Sequence, residues 1–272
     1  MARLSMSETT TFRWSFDEDV TRYHAAGIQA IGVWRQKLSD FGEVKAAELL
    51  EETGLEVAHL FWVGGFTGSD GRSYRESLQD AQETLKTAAE IKAQNVIVYS
   101  GGRAGHTFNH AKRLIRGALV ELLPQAADLN VTLAVEPMHP GCAGGWTFLT
   151  SLEETLALLD DMGDDRLKLV FDTYHLGQSP DVLPQIEQAA GRIGLVQLGD
   201  AKGPPDGEQN RCELGQGVIP LGELVAALKA GGYDGYYDVE LLGEDVETID
   251  YQQLIDHAKG AYAELVGPTD AS

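Results

Sequence analysis

Cysteine, basic residues and long apolar runs are all scarce in this chain. Its 272 residues include two cysteines, Cys142 and Cys212, too few for a disulfide framework. Both fall in loops expected after strands, which leaves a single pairing open. Lysine and arginine together number 21 against 42 acids, a formal net charge of −21. A field of that sign repels phosphate backbones and anionic membrane surfaces, so it argues against nucleic acid and membrane as partners. Neutral small molecules and divalent cations are compatible with it, and much of the charge serves solubility. No run of about 18 apolar residues occurs, so no segment is expected to span a bilayer. The opening MARLSMSETTTFRWSF lacks a basic segment followed by an apolar core of the secretory kind. A soluble, cytoplasmic protein is the expectation.

What is present is a hydrophobic content of 43%, ample for a large core, and a steady alternation of strand and helix patterns. Strands are expected at Leu4–Ser7, Ile28–Trp34, Leu55–Val63, Asn95–Gly102, VTLAVEP, Leu167–Asp172, IGLVQLGDA and YDGYYDVELL. Helices are expected between them, at Asp17–Ala26, Glu43–Glu52, Tyr74–Ala93, from about His106 to Leu129, from Ser151, at Val182–Ala190, Leu221–Ala230 and Tyr251–Leu265. Helix ends fall on Gly27, Gly54 and Gly231, as C-caps should. Ser151 with Glu154 three residues on has the form of a capping box. Eight βα units over this length predict an α/β fold, a single (β/α)8 TIM barrel occupying residues 1–272 as one domain. The loops after the third, fifth and seventh strands are the long ones, which puts the active face at the strand C-termini.

Acids and amides stand where four of these strands end. LKLVF runs into Asp172, with His175 three residues later, and VTLAV runs into Glu136. GLVQLGD carries Gln197 and GYYDVEL carries Glu240. Buried parallel strands read as near-continuous apolar runs, so a carboxylate at the end of one marks the rim. Taken singly, Glu136 suits a solvated strand end and Gln197 a core amide bonded to backbone. Asp238 shares a face with Glu240, so either could be the inward acid. Taken jointly, four oxygen-bearing side chains from four successive units describe a metal cup, since converging carboxylates repel unless a cation or a proton intervenes. An all-oxygen set favours a hard or borderline divalent ion, Mn²⁺ first, with Mg²⁺, Co²⁺ and Fe²⁺ compatible. Zinc suits it less without histidine or thiolate.

The series VEP, FDTYH, VQL, RCELGQG and GYDGYYDVEL resembles the sugar phosphate isomerase/epimerase family of the xylose isomerase-like TIM barrels. The resemblance extends from FRWSFDEDVTRYHAAGIQAIGVW to the last helix and is most specific over ELGQGVIPLGELVAALKAGGYDGYYDVEL. It implies Glu136, Asp172, Gln197 and Glu240 as metal ligands. Many members carry histidine in place of Gln197, and the hydroxypyruvate-isomerase-like ones carry glutamine. The histidine-rich zinc cluster of the related endonuclease IV repair enzymes is absent. His175 matches a histidine frequent in the family, placed to meet a substrate hydroxyl or orient a ligand. Arg211 resembles the family arginine that contacts substrate. His139, in EPMHP, is either an ordinary loop histidine or a neutral base beside the cation. Lys202 and Asp200 are weaker candidates, and Gly215 and Gly217 turn the chain. Trp14, Trp34, Phe61, Trp62, Phe66 and Trp146 could wall a sugar face, although core packing is the commoner role for any one of them.

The chemistry that follows is proton transfer next to a carbonyl. A bound divalent ion polarises a carbonyl and its neighbouring hydroxyl and favours an enediolate. The resemblance implies that Glu136 and Glu240 flank the reacting carbon, with His139 and His175 as further catalytic candidates. Arg211, His175, Trp14 and Trp34 are the candidates for binding substrate. The expected activity is a metal-dependent isomerase or epimerase of a sugar or sugar derivative. No basic cluster or phosphate loop is visible, so the sugar is expected to be unphosphorylated. A lyase removing a β-substituent from a keto-sugar or 3-keto-glycoside is the alternative, and a non-catalytic sugar-binding barrel is a third. The family's frequent dimers and tetramers leave room for a homo-oligomer.

Overall fold

The computed structural model describes residues 2–207 and 209–267. Eight parallel strands close a barrel: β1 (Arg3–Ser7), β2 (Ala30–Trp34), β3 (Glu56–Gly64), β4 (Asn95–Tyr99), β5 (Thr132–Val135), β6 (Leu167–Asp172), β7 (Ile193–Leu198) and β10 (Tyr236–Val239). β10 pairs with both β7 and β1, which seals the cylinder. Two further strands, β8 (Asp200–Ala201) and β9 (Arg211–Cys212), form a small antiparallel ribbon inside the long loop after β7. The sequence pattern showed that stretch only as a loop. A helix also follows β2 directly, Arg35–Phe41, where none was expected.

Strand alternation sorts the apolar residues into two cores. Leu133, Val135, Leu169, Phe171, Val196, Leu198, Tyr237 and Val239 face outward and pack with the helices. Ala30, Ala58, Phe61, Ile97, Ala134, Val170, Leu195 and Tyr236 face inward and fill the barrel. Small residues on several strands leave room for Phe61 and Tyr236, as a filled interior of this size requires. Because the side-chain period in a strand is two, the residues two beyond Ala134, Val170, Leu195 and Tyr236 also point inward. Those residues are Glu136, Asp172, Gln197 and Asp238.

The interior is polar below and above this apolar layer. At the N-terminal end Arg3 Nη1 pairs with Glu56 Oε2 at 2.7 Å, and the Tyr236 hydroxyl donates to the same oxygen at 2.7 Å. Nearer the mouth, Asp238 accepts from the Ser5 hydroxyl at 2.5 Å and lies 2.9 Å from His59 Nε2. Gly32 makes this pair possible, since a Cβ there would stand 2.2 Å from His59 Nε2. Asp238 is therefore held within the barrel, and Glu240, two residues further along, reaches the rim. The two acids share a face, and partners on β1 and β3 distinguish the position of Asp238 from that of Glu240.

Helix starts follow the capping chemistry of the sequence in most places. Ser73 and Glu76 form a reciprocal box at the helix Tyr74–Glu90. At Leu152–Met162 only half of the expected box forms: Ser151 accepts from the Glu154 N–H, but the Glu154 carboxylate returns to the Thr150 N–H. Cys142 and Cys212 are both free thiols. Among the described residues no helix is long and apolar enough to cross a membrane.

Candidate metal centre

Each member of the anticipated cup sits at the C-terminal end of its strand and is buried. Glu136 directly follows β5, Asp172 closes β6, Gln197 is the penultimate residue of β7, and Glu240 directly follows β10. Register brings them side by side, since Gln197 is the cross-strand partner of Asp172 on one side and of Asp238 on the other. The chain after Asp172 turns at once into a short helix, Thr173–Leu176, which Asp172 caps by accepting from the Tyr174 N–H at 2.7 Å. That turn points His175 back over the mouth. His175 Nε2 stands 3.8 Å from both Glu136 Oε1 and Asp172 Oδ2. This is too long for a hydrogen bond, and one donor atom from each of the three falls within 4.8 Å of the others. Glu240 lies outside that group, tied to Arg211 Nη2 at 3.2 Å and to the Thr9 hydroxyl at 3.3 Å.

Electrostatics at the mouth are unbalanced. Three buried carboxylates, Glu136, Asp172 and Glu240, share one buried guanidinium, Arg211. Burial, and then the Glu240 and Asp172 charges, push the Glu136 carboxyl well above the usual carboxylate range. Burial likewise pushes Glu240 up to about 7, against the opposing pull of Arg211. Burial drives His175 down to about 4, so its imidazole is neutral and able to offer a lone pair. Burial disfavours the Arg211 charge, but Asp172 and Glu240 more than offset this and hold it protonated.

Two buried polar atoms here, Gln197 Oε1 and His175 Nδ1, have no hydrogen-bond partner among the described residues. An orphaned carbonyl oxygen beside two carboxylates is an arrangement that a cation relieves. The residues present therefore fit a divalent ion, and they include an imidazole that the sequence reading had not counted among the ligands.

The remaining candidates spread outward. His139 is half-buried, caps the turn Pro140–Ala143 by accepting from the Gly141 N–H at 3.1 Å, and is near enough to help keep His175 neutral. Trp34 and Trp62 pack on the interior apolar layer. They border a cavity of about 420 Å³ with Arg35, Phe61, Arg72 and Tyr99, and none of the four cup residues lines it. Trp146 contacts Trp62 and Tyr99 edge-on or tilted, whereas Phe66 is fully buried. Trp14 sits in the helical layer, against Tyr251 and beneath Arg22. Lys202 is engaged on the surface with Asp245. Asp200 accepts from the N–H groups of Gly215, Gly217 and Ile219 and so folds the long loop. Three residues that the sequence reading passed over also shape the site: Tyr174 under Arg211, Thr9 against Glu240, and Gly199 beside Arg211. Tyr174 and Gly199 adjoin singled-out residues in FDTYH and VQLGD, which was the only available signal.

The profile of the xylose isomerase-like TIM barrel family matches residues 20–264. The chain belongs to that family. Hydroxypyruvate isomerase of Escherichia coli K12 is 30% identical over 222 residues, 79% of this chain and 81% of its own length. An inosose isomerase of Bacillus velezensis is 24% identical over 246 residues, 87% of this chain and 85% of its own. Among solved structures, a protein from Sinorhizobium meliloti 1021 superposes with a TM-score of 0.89 at 26% identity, over 96% of this chain and 98% of that one. The IolI protein, solved with a zinc atom bound, superposes with a TM-score of 0.85 at 20% identity over 97% and 98%, a likeness of fold. Isomerase is the activity in the names of both sequence relatives, and D-psicose and L-ribulose 3-epimerases are also similar.

The raised proton affinity of the cup has a measurable sign. Glu240 moves from 4.5 to about 7, so the folded, metal-free protein holds a proton that the unfolded chain has released. Its contribution to stability is present below about 4.5 and is lost as pH rises to about 7. If Glu240 is a ligand, a cation must displace that proton to bind. Mn²⁺ added in weak buffer should therefore release more protons at pH 6 than at pH 8.5. Equal release at the two pH values would show that Glu240 takes no part.

Proposed function

We propose that the protein is a cytoplasmic, metal-dependent sugar isomerase or epimerase that moves a proton at the carbon beside a carbonyl. The observation that supports this best is the excess of buried carboxylate at the barrel mouth, together with the unpartnered Gln197 Oε1. Glu136, Asp172, Gln197 and Glu240 would hold the ion, with His175 in reach of the same place. We take Mn²⁺ as the ion, because oxygen donors joined by one imidazole suit it well. When bound, such an ion polarises the sugar's carbonyl and adjacent hydroxyl and acidifies the C–H between them.

The protein's own residues would do the rest. Glu136 and Glu240 flank the carbon and act as proton acceptor and donor; a group that titrates near neutral pH is best suited to both tasks. Neutral His175 hydrogen-bonds a substrate hydroxyl, and His139 is the further acid–base candidate. Arg211 meets a substrate oxygen with its guanidinium edge, and Trp34 lies on the β2 side of the mouth. Arg35 and Arg72 both pair with Asp80, which leaves them poorly placed to take a phosphate, so the sugar is read as unphosphorylated.

Incubating the Mn²⁺-loaded protein with a panel of ketoses and keto-acids in D₂O tests this reading. Deuterium at the carbon next to the carbonyl, in an isomer or epimer of the starting sugar, is the expected result. Release of water or an aglycone would mark an elimination instead. Tight sugar binding with no deuterium in any compound would mark a binding protein.

A further inference from the structure

Arg211 comes from β9, outside the barrel, yet its guanidinium ends between two residues of the cup. Nη2 lies 2.9 Å from Asp172 Oδ2 and 3.2 Å from Glu240 Oε2, so one nitrogen bridges carboxylates from different strands. Nη1 donates to the Glu240 carbonyl at 3.1 Å and, less closely, to Asp172 Oδ1 at 3.4 Å. Nε points to Gln209 Oε1 at 3.4 Å. Tyr174 supports the flat face, with Arg211 Cζ 4.2 Å from the ring centroid, a favourable cation–π distance. The seat has been cleared for this side chain, because a Cβ on Gly199 would stand 2.5 Å from Nη1. A long, charged side chain that is 1% exposed and satisfied in this way fills a built site and is not a surface arginine that happened to fold inward.

We propose that Arg211 is the resident counter-cation of the metal-free protein and competes with the divalent ion for Asp172 and Glu240. This rests on the metal reading of the cup given above. Two cations on the same carboxylate oxygens repel strongly where water is excluded, so the guanidinium has to leave at least one of them as an ion binds. In the metal-free state it keeps two like charges from forcing the mouth apart. In the loaded state it is released to meet a substrate oxygen, which links substrate binding to metal loading. The cost of this device is affinity: a cup open one-tenth of the time binds its ion about tenfold more weakly. An arginine that merely oriented the ligands would have the opposite effect, and its removal would weaken metal binding.

The sign of the effect is read by calorimetric titration of Mn²⁺ into the metal-stripped, full-length protein, comparing the wild type with Arg211→Met and Gly199→Ala. Methionine keeps apolar bulk on Tyr174 without the charge, and alanine evicts the guanidinium without removing it. Arg211→Met should bind Mn²⁺ at least about tenfold more tightly than the wild type, and its metal-free form should melt lower. Binding that is equal or weaker overturns the competition. Gly199→Ala provides the same comparison if the methionine variant does not fold. Should neither fold, the wild type decides: on adding Mg²⁺ the Arg211 Nη–H protons, which make the carboxylate contacts, lose their protection from solvent exchange if the guanidinium leaves and keep it if it does not. A wild type that binds no Mn²⁺ at millimolar concentration removes the metal reading itself, and this inference with it.

Discussion

Glu136→Gln should fold as the wild type does and turn substrate over about 10²–10⁴ times more slowly, the usual worth of a positioned acid–base group. Glutamine has nearly the volume of glutamate and keeps one oxygen donor, so the cup keeps its shape. What it loses is the ability to carry a proton. The fold itself should gain: burial and the Glu240 and Asp172 charges already drive Glu136 toward its neutral form, and a neutral amide needs no such adjustment. Metal-free Glu136→Gln is therefore expected to melt at or above the wild-type temperature while its kcat falls. Full activity in this variant would reject the role proposed for Glu136. Lost activity together with a lowered melting temperature would show only that the barrel had been damaged.

Asp172→Ala should have the largest effect on stability, about 3–5 kcal/mol in the metal-free protein, the range seen when one partner of a buried ion pair is removed. Asp172 is fully buried, takes the closer of the two Nη2 contacts of Arg211, and caps the short helix through the Tyr174 N–H. Without it the guanidinium keeps only Glu240 as a charged partner among the described residues, and an orphaned backbone N–H is added. Asp172→Asn should fall in between, because its carbonyl oxygen still caps Tyr174. Urea unfolding in the presence of a chelator measures both variants. A loss below about 1 kcal/mol for the alanine variant would mean that Arg211 readily finds another partner or water, contrary to its burial.

Much of this was legible in the chain. Apolar runs ending in Glu136 and Asp172, repeated strand–helix units and glycine C-caps require only local patterns, and they were enough for the barrel and for the rim positions of four polar side chains. Long-range pairing is what the pattern could not supply. Asp238 and Glu240 are equivalent under strand alternation, and they are distinguished by Ser5 and His59, far away in sequence and adjacent only once the barrel closes. Arg211 is marked in the sequence only by its resemblance to a family arginine that contacts substrate, because nothing local reveals the β8–β9 ribbon that turns it inward. His175 was read as a neighbour of the cup, and the tight turn capped by Asp172 brings it within reach of the ligands. This weakens the sequence argument against zinc, which assumed that no imidazole was in the set. Trp14 and Trp34 were paired as substrate-facing aromatics, but Trp14 is engaged by Arg22 and Tyr251. Aromatic spacing alone carries no information about which side of a barrel loop a ring will choose.

Crystals of the protein grown or soaked with Mn²⁺, with anomalous data collected at the manganese edge, put the central claim to its most direct test. One strong peak within bonding distance of Glu136, Asp172, Gln197 and Glu240 oxygens, with the Arg211 guanidinium moved off at least one carboxylate, is the expected result. A peak elsewhere, or none at saturating Mn²⁺ with Arg211 still bridging Asp172 and Glu240, would contradict it.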